Sequence, residues 1–164
     1  MPYEINETIV LSGHGIGRIT GLVTKNFGAA EPQPYYEVLA GRSTVWVAVE
    51  NAEARGLRPL ASRAELGHCR ELLRSRPRPL ERDYQKRRQE LHARQKVGTL
   101  ESACELLRDL SARNSQAPLN DVEKTMLQGT QSDLCEEWAA VYGVSLPQAN
   151  SEVAGLLQEG RQQP

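Results

Sequence analysis

Thr44-Val45-Trp46-Val47-Ala48-Val49 is the most strand-prone stretch of the chain, and Ser62-Arg63-Ala64-Glu65-Leu66 follows it with a different period. In the first, Thr44, Trp46 and Ala48 share one face and Val45, Val47 and Val49 the other, the alternation of a strand. In the second, Ser62 and Glu65 have the spacing of a capping box. Leu66, Cys69, Leu72 and Leu73 then line one stripe at helical spacing. The period therefore switches near residue 60. That switch predicts a β module followed by a helical module, each with its own core.

Toward the N-terminus the strand signals continue. Thr8-Ile9-Val10-Leu11 is a short β-branched run, Arg18 to Thr24 alternates polar and apolar, and Tyr35-Tyr36-Glu37-Val38-Leu39 precedes a Gly41-Arg42-Ser43 turn. Gly13-His14-Gly15-Ile16-Gly17 resembles a phosphate loop only superficially. It lacks the Lys-Ser/Thr pair and leads into a strand, so its glycines are read as turn residues with positive φ. Short strands spaced by glycine turns predict a small antiparallel barrel or curled sheet.

Toward the C-terminus, Pro77 and Pro79 interrupt the chain. A mostly polar helix is predicted from Leu80 to Lys96, with Tyr84, Leu91 and arginine stems as its packing surface and Gly98 as its stop. A third helix starts at Thr99 and carries Leu100, Ala103, Cys104, Leu107 and Leu110. Asn120 with Glu123 opens a fourth, bearing Val122, Met126, Leu127, Leu134, Trp138 and Val141 up to Gly143. Ser145 caps a last helix with Leu146, Ala149, Val153, Leu156 and Leu157. The expected class is α+β: a small antiparallel β module over residues 1–60, a compact all-helical domain of about five helices over 61–160, and a polar tail at 161–164.

Several functions are disfavoured by composition. No apolar run approaches the roughly 20 residues that cross a bilayer, and Met1-Pro2-Tyr3-Glu4 does not begin a secretory leader. A cytoplasmic protein without membrane contact is expected. Cys69, Cys104 and Cys135 are odd in number and form no Cys-x-x-Cys motif, so they read as small buried hydrophobes. His14, His68 and His92 do not join them at zinc-ligand spacing, and neither metal nor cofactor is expected. No nucleophile elbow or His–carboxylate constellation is present, so the chain is not read as an enzyme. An enzymatic reading has only His14 or a cysteine to stand on.

The charge is unevenly placed. The formal net charge is -1, yet Arg74 to Lys96 holds nine Lys/Arg against three Asp/Glu, a local +6. Residues 97–164 hold four against ten, a local -6. A basic segment inside an acidic chain points to local contact with a polyanion. Tyr84 sits within it, as a wedge residue on a DNA-contacting helix would. The competing reading is a solvated helix with scattered ion pairs, of which Glu90–Arg94 is one. Trp46 likewise has two readings, a cap on the β core or an exposed anchor for a partner.

Four segments carry a resemblance to a known family. They are Ile9-Val10-Leu11 with Gly13-His14-Gly15-Ile16-Gly17-Arg18-Ile19, and Trp46-Val47-Ala48-Val49-Glu50-Asn51-Ala52-Glu53 with Gly56-Leu57-Arg58-Pro59. The others are Leu106-Leu107-Arg108-Asp109-Leu110-Ser111-Ala112-Arg113 and Pro118-Leu119-Asn120-Asp121-Val122-Glu123-Lys124-Thr125-Met126-Leu127. The chain resembles the bacterial CarD/CdnL family of RNA polymerase-binding transcription regulators. Its N-terminal part is similar to the polymerase-interaction domain of the transcription-repair coupling factor. The two C-terminal segments, with no helicase motif present, select CarD/CdnL.

The resemblance implies a Tudor/SH3-like β module that docks on the polymerase β subunit, at its protrusion lobe, by strand pairing. It implies a helical domain that meets promoter DNA at the upstream edge of the bubble and slows bubble collapse. Carried over by position, the family's Trp wedge falls on Tyr84 and its basic cluster on Lys86, Arg87 and Arg88, with Arg82 and Arg94 beside them. The docking positions fall on Lys25 and Trp46, with Phe27 and Val47 adjacent. Tyr84 departs from the usual Trp, offering less stacking area and a hydroxyl. Trp46 stands where some relatives carry a basic residue. The implied state is a monomer, nucleoid-associated through polymerase. The alternative is an adapter that docks on polymerase without a functional DNA contact.

Overall fold

The computed structural model describes residues 2–28 and 31–164. The chain divides into two compact units, Met1–Leu60 and Ala61–Pro164. The first is a five-stranded antiparallel sheet: β1 (Thr8–Leu11), β2 (Gly15–Lys25), β3 (Gln33–Ala40), β4 (Ser43–Ala48) and β5 (Leu57–Pro59), in the order β4-β3-β2-β1-β5. The second is five helices: α1 (Arg63–Leu73), α2 (Tyr84–Val97), α3 (Leu100–Gln116), α4 (Asp121–Tyr142) and α5 (Leu146–Arg161). The α+β class read from the periodicity switch is the class observed.

In the first unit the apolar halves of the alternating strands meet. Ile9, Leu11, Ile19, Tyr36, Val38, Val47 and Leu57 are all buried in one cluster. Tyr3 closes it, its ring edge-on to Tyr36 at 5.5 Å and its hydroxyl donating to the Leu57 carbonyl at 3.3 Å. The β2–β3 register shifts between Ile19 and Gly21, a bulge that adds twist to the long strand. The three loop glycines part ways. Gly13 and Gly15 have φ of +82 and +81, as the turn reading requires. Gly17 instead lies inside β2, where a Cβ would come within 2.9 Å of the Leu39 carbonyl oxygen, so its role is close strand approach.

The helical unit is built from capped helices. Ser62 accepts from the Glu65 amide at the start of α1, and Asn120 and Glu123 form a complete capping box on α4. Leu66, Leu73, Leu107, Trp138, Val153 and Leu157 form the main core, together with all three cysteines. A smaller cluster of Leu80, Leu91, Leu106, Leu110, Leu119 and Met126 lies under α2.

Two boundaries differ from the sequence reading. The polar helix starts at Tyr84, not Leu80, because Asp83 takes the N-cap and accepts from the Lys86 amide at 3.0 Å. α5 runs to Arg161 because Gly160 is buried against the end of α1, leaving no room for a Cβ next to the Ser75 and Leu73 carbonyl oxygens.

Candidate functional site

Each unit presents one surface with functional character. On the first it is the open edge at β4. The two-residue Gly41-Arg42 turn, with Gly41 at φ +64, joins β3 to β4 and pairs Ala40 with Ser43. In such a hairpin the flanking pair exchanges hydrogen bonds and the pattern alternates from there. Ser43, Val45 and Val47 thus turn their amide groups to β3. Thr44, Trp46 and Ala48 turn theirs to the open edge, where a further strand can pair.

Aromatic side chains cluster beside this edge. Trp46 is 38% exposed and Phe27 58%. Phe27 stands 6.2 Å from Trp46 and edge-on to Tyr35 at 5.0 Å, while the Lys25 Nζ lies 4.7 Å from the centre of the Trp46 ring. The Trp46 side chain is partly exposed and does not belong to the buried cluster of the β unit. The ammonium on the ring face keeps a positive charge at a mainly apolar patch. Val47 is corrected: its side chain is buried in the core, so only its backbone belongs to the edge strand, and that backbone already faces β3.

On the second unit it is the first turn of α2. Tyr84 opens the helix with its ring 48% exposed. Arg82, Lys86 and Arg88 are exposed, and among the described residues none makes an ion pair. The predicted packing role of Tyr84 therefore gives way to a solvent-facing one.

The basic cluster is divided, and this is the second correction. Arg87 points inward with a side chain only 9% exposed. Its Nε donates to Glu123 Oε2 at 2.5 Å, and its Nη1 donates to the carbonyls of Glu81 and Arg82 at 3.2 and 3.0 Å. Arg94 is also engaged, donating to Asp109 at 2.8 Å and pairing with Glu90 at 3.7 Å. Neither guanidinium is a free cation on the surface. A polar helix without an apolar stripe has few other ways to attach, and Leu91 is its one buried apolar side chain.

The carboxylates that receive these arginines escaped the sequence reading. Asp109 accepts from Arg94, from the Arg108 Nε at 2.8 Å and from the Arg78 amide at 2.9 Å. Glu123 uses Oε1 for the Asn120 amide at 3.1 Å and Oε2 for Arg87. Burial alone raises the Glu123 pKa, but the hydrogen bonds from Arg87 and Asn120 and the charges of Arg87 and Arg113 hold it below the ordinary glutamate range. The available signal was Arg108-Asp109 embedded in a leucine run, the mark of a buried ion pair.

Comparison with known proteins fits this architecture. Residues 3–61 match the CarD-like/TRCF RID domain, and residues 68–154 match the CarD C-terminal domain. The chain belongs to the CarD family. A relative from Bacillus subtilis (strain 168), YdeB, named as a candidate transcription factor, is 25% identical over 155 residues, spanning 91% of this chain and 98% of its own length. CarD-family proteins are non-enzymatic transcription regulators that interact with RNA polymerase, and the RID-type domain is the part that meets the polymerase β subunit. Among the described residues no helix is long and apolar enough to cross a membrane.

Proposed function

We propose that this CarD-family chain bridges RNA polymerase and promoter DNA and prolongs the life of the open complex. The β4 edge pairs with a strand of the β-subunit protrusion lobe, and Trp46, Phe27 and Lys25 supply its side-chain contacts. The first turn of α2 meets DNA at the upstream edge of the bubble. Tyr84 acts there as the wedge, and Arg82, Lys86 and Arg88 contact phosphates. Arg87 and Arg94 serve inside the protein.

The observation that carries this reading is an exposed aromatic ring at a helix start, flanked by exposed cations that make no ion pair among the described residues. An apolar or aromatic side chain inserted at a base step holds the duplex partly unstacked, and phosphate contacts fix its register. The hydroxyl of Tyr84 remains free to meet a polar group at the groove floor. The test is open-complex lifetime on an unstable promoter with the cognate holoenzyme. Tyr84→Ala and Lys86→Glu are each expected to abolish the lengthening while polymerase binding persists.

One observation favours the adapter reading. Glu81 and Asp83 stand beside the same turn, and Glu90 follows one turn later, all of them repelling phosphate. If Lys86→Glu with Arg88→Glu leaves the transcription effect intact, the adapter reading replaces the bridging one.

A further inference from the structure

Within the basic segment Arg82, Lys86 and Arg88 face solvent, while Arg87 between them is buried. We infer that Glu123, a residue of α4, is the positioning residue for the DNA-facing turn of α2, acting through Arg87. This inference rests on the proposed DNA contact for its transcriptional consequence, but its geometry stands apart from it.

The Arg87 guanidinium ties three things together. It holds Glu123 through Nε and the backbone carbonyls of Glu81 and Arg82 through Nη1. Those carbonyls belong to the two residues just before the Asp83 N-cap. Tyr84 lies one residue further on, its ring 5.9 Å from the Arg87 guanidinium carbon. The direction in which Tyr84 projects is thus set by a clamp on both sides of the helix start. Glu123 is itself held by the Asn120 amide, because it is the closing member of the α4 capping box. One carboxylate therefore orders the beginnings of two helices.

Apolar packing flanks the first turn without reaching it. Leu80 is buried four positions before Tyr84, and Leu91, the buried apolar side chain of α2, lies seven positions beyond it, about two helical turns away. Asp109 anchors the later part of α2 through Arg94 and leaves the first turn to Glu123. Arg87 is accordingly a positioning residue too, which explains a basic side chain that a polyanion cannot reach.

Simple charge arguments and the clamp predict opposite signs for Glu123→Gln. Removing an acid near a polyanion site strengthens attraction to DNA. Removing the clamp loosens the turn and weakens the wedge. Gln at the third helical position keeps the capping-box acceptor, so α4 is expected to fold. Asp121→Asn is the control: it makes the same charge change at the same helix start, on an exposed residue without an Arg87 contact.

The experiment measures open-complex lifetime with the cognate holoenzyme, and amide hydrogen exchange of the free protein, for wild type and both variants. The clamp predicts that Glu123→Gln loses the lengthening and raises exchange at residues 86–88, whose amides are hydrogen-bonded at the helix start, by about ten-fold or more, the worth of one charged hydrogen bond. Exchange in α1 and α5 is expected to stay unchanged, which separates loosening of the turn from unfolding. Asp121→Asn is expected to keep or slightly increase the lengthening. A lifetime in Glu123→Gln equal to or longer than wild type overturns the inference. Unchanged exchange at residues 86–88 overturns it as well. If wild type itself leaves the lifetime unaltered, the bridging function falls and exchange alone decides the clamp. An Arg87→Met/Glu123→Gln double variant, which leaves no unpaired buried charge, is expected to match Glu123→Gln in lifetime; recovery of the lengthening in it counts against positioning.

Discussion

Trp46→Ala isolates the docking surface. The ring is 38% exposed in the free protein. A tryptophan side chain carries up to about 250 Å² of surface, so about 95 Å² is left for a partner to cover. At about 25 cal/mol per Å² that area is worth about 2.4 kcal/mol, which corresponds to about a 50-fold rise in Kd at about 1.4 kcal/mol per decade. Part of the ring is already covered in the free protein, by Phe27 and by the Lys25 ammonium, whose ring-face contact contributes about 0.5–1 kcal/mol, so the variant is expected to lose some folding stability as well. The assay is titration of RNA polymerase, or of its β-subunit protrusion lobe, by calorimetry, with thermal unfolding of the variant alongside. The expected result is a strongly weakened complex formed by a variant that melts at a lower temperature but is still folded at the temperature of the titration. A Kd within about three-fold of wild type refutes the apolar-anchor argument. Affinity then resides in main-chain pairing at the β4 edge, or the docking surface lies elsewhere.

Other expectations concern the protein alone. The depressed pKa of Glu123 means that the stability its ionised form contributes is complete above the ordinary glutamate value of about 4.3 and is lost as pH falls through the lower folded value. In urea unfolding, the advantage of wild type over Glu123→Gln is expected to hold at pH 7 and shrink toward pH 3; an advantage independent of pH contradicts the ion pair. All three cysteines are buried, and burial pushes the Cys135 thiol up to about 11. A thiol reagent is therefore expected to label none of them rapidly without denaturant, and fast stoichiometric labelling disproves their core placement. Gly160→Ala places a methyl 2.6 Å from the Ser75 carbonyl oxygen and 2.9 Å from that of Leu73. It is expected to cost about 1–3 kcal/mol in chemical denaturation, and a neutral result shows that α5 shifts freely.

The fold was legible wherever one local rule acted alone. The alternation at Thr44–Val49, the Asn120–Glu123 box and the leucine stripes each named an element and its buried face. The start of α2 was less legible because two signals competed: prolines 77 and 79 end the preceding segment, but Asp83, not Leu80, satisfies the Lys86 amide. The candidate surfaces were legible in type and only partly in membership. Charge density found the basic turn, yet periodicity could not tell Arg87 from Arg88, since adjacent residues on a polar helix differ only in what lies across from them. That depends on Glu123, thirty-six positions away in sequence. Val47 was misassigned for a related reason, because a strand that docks through its backbone still buries alternate side chains. The exposure of Trp46 was undecidable from alternation, which separates two faces without saying which one is dry.

The bridging account stands most directly on one measurement: the lifetime of the open complex formed by cognate holoenzyme on an unstable promoter, with wild-type protein and with Tyr84→Ala. The account predicts a longer lifetime with wild type, and a return to the protein-free value with Tyr84→Ala while polymerase binding is retained. Equal lengthening by the two proteins contradicts it, and so does no lengthening by a wild-type protein that is bound to polymerase.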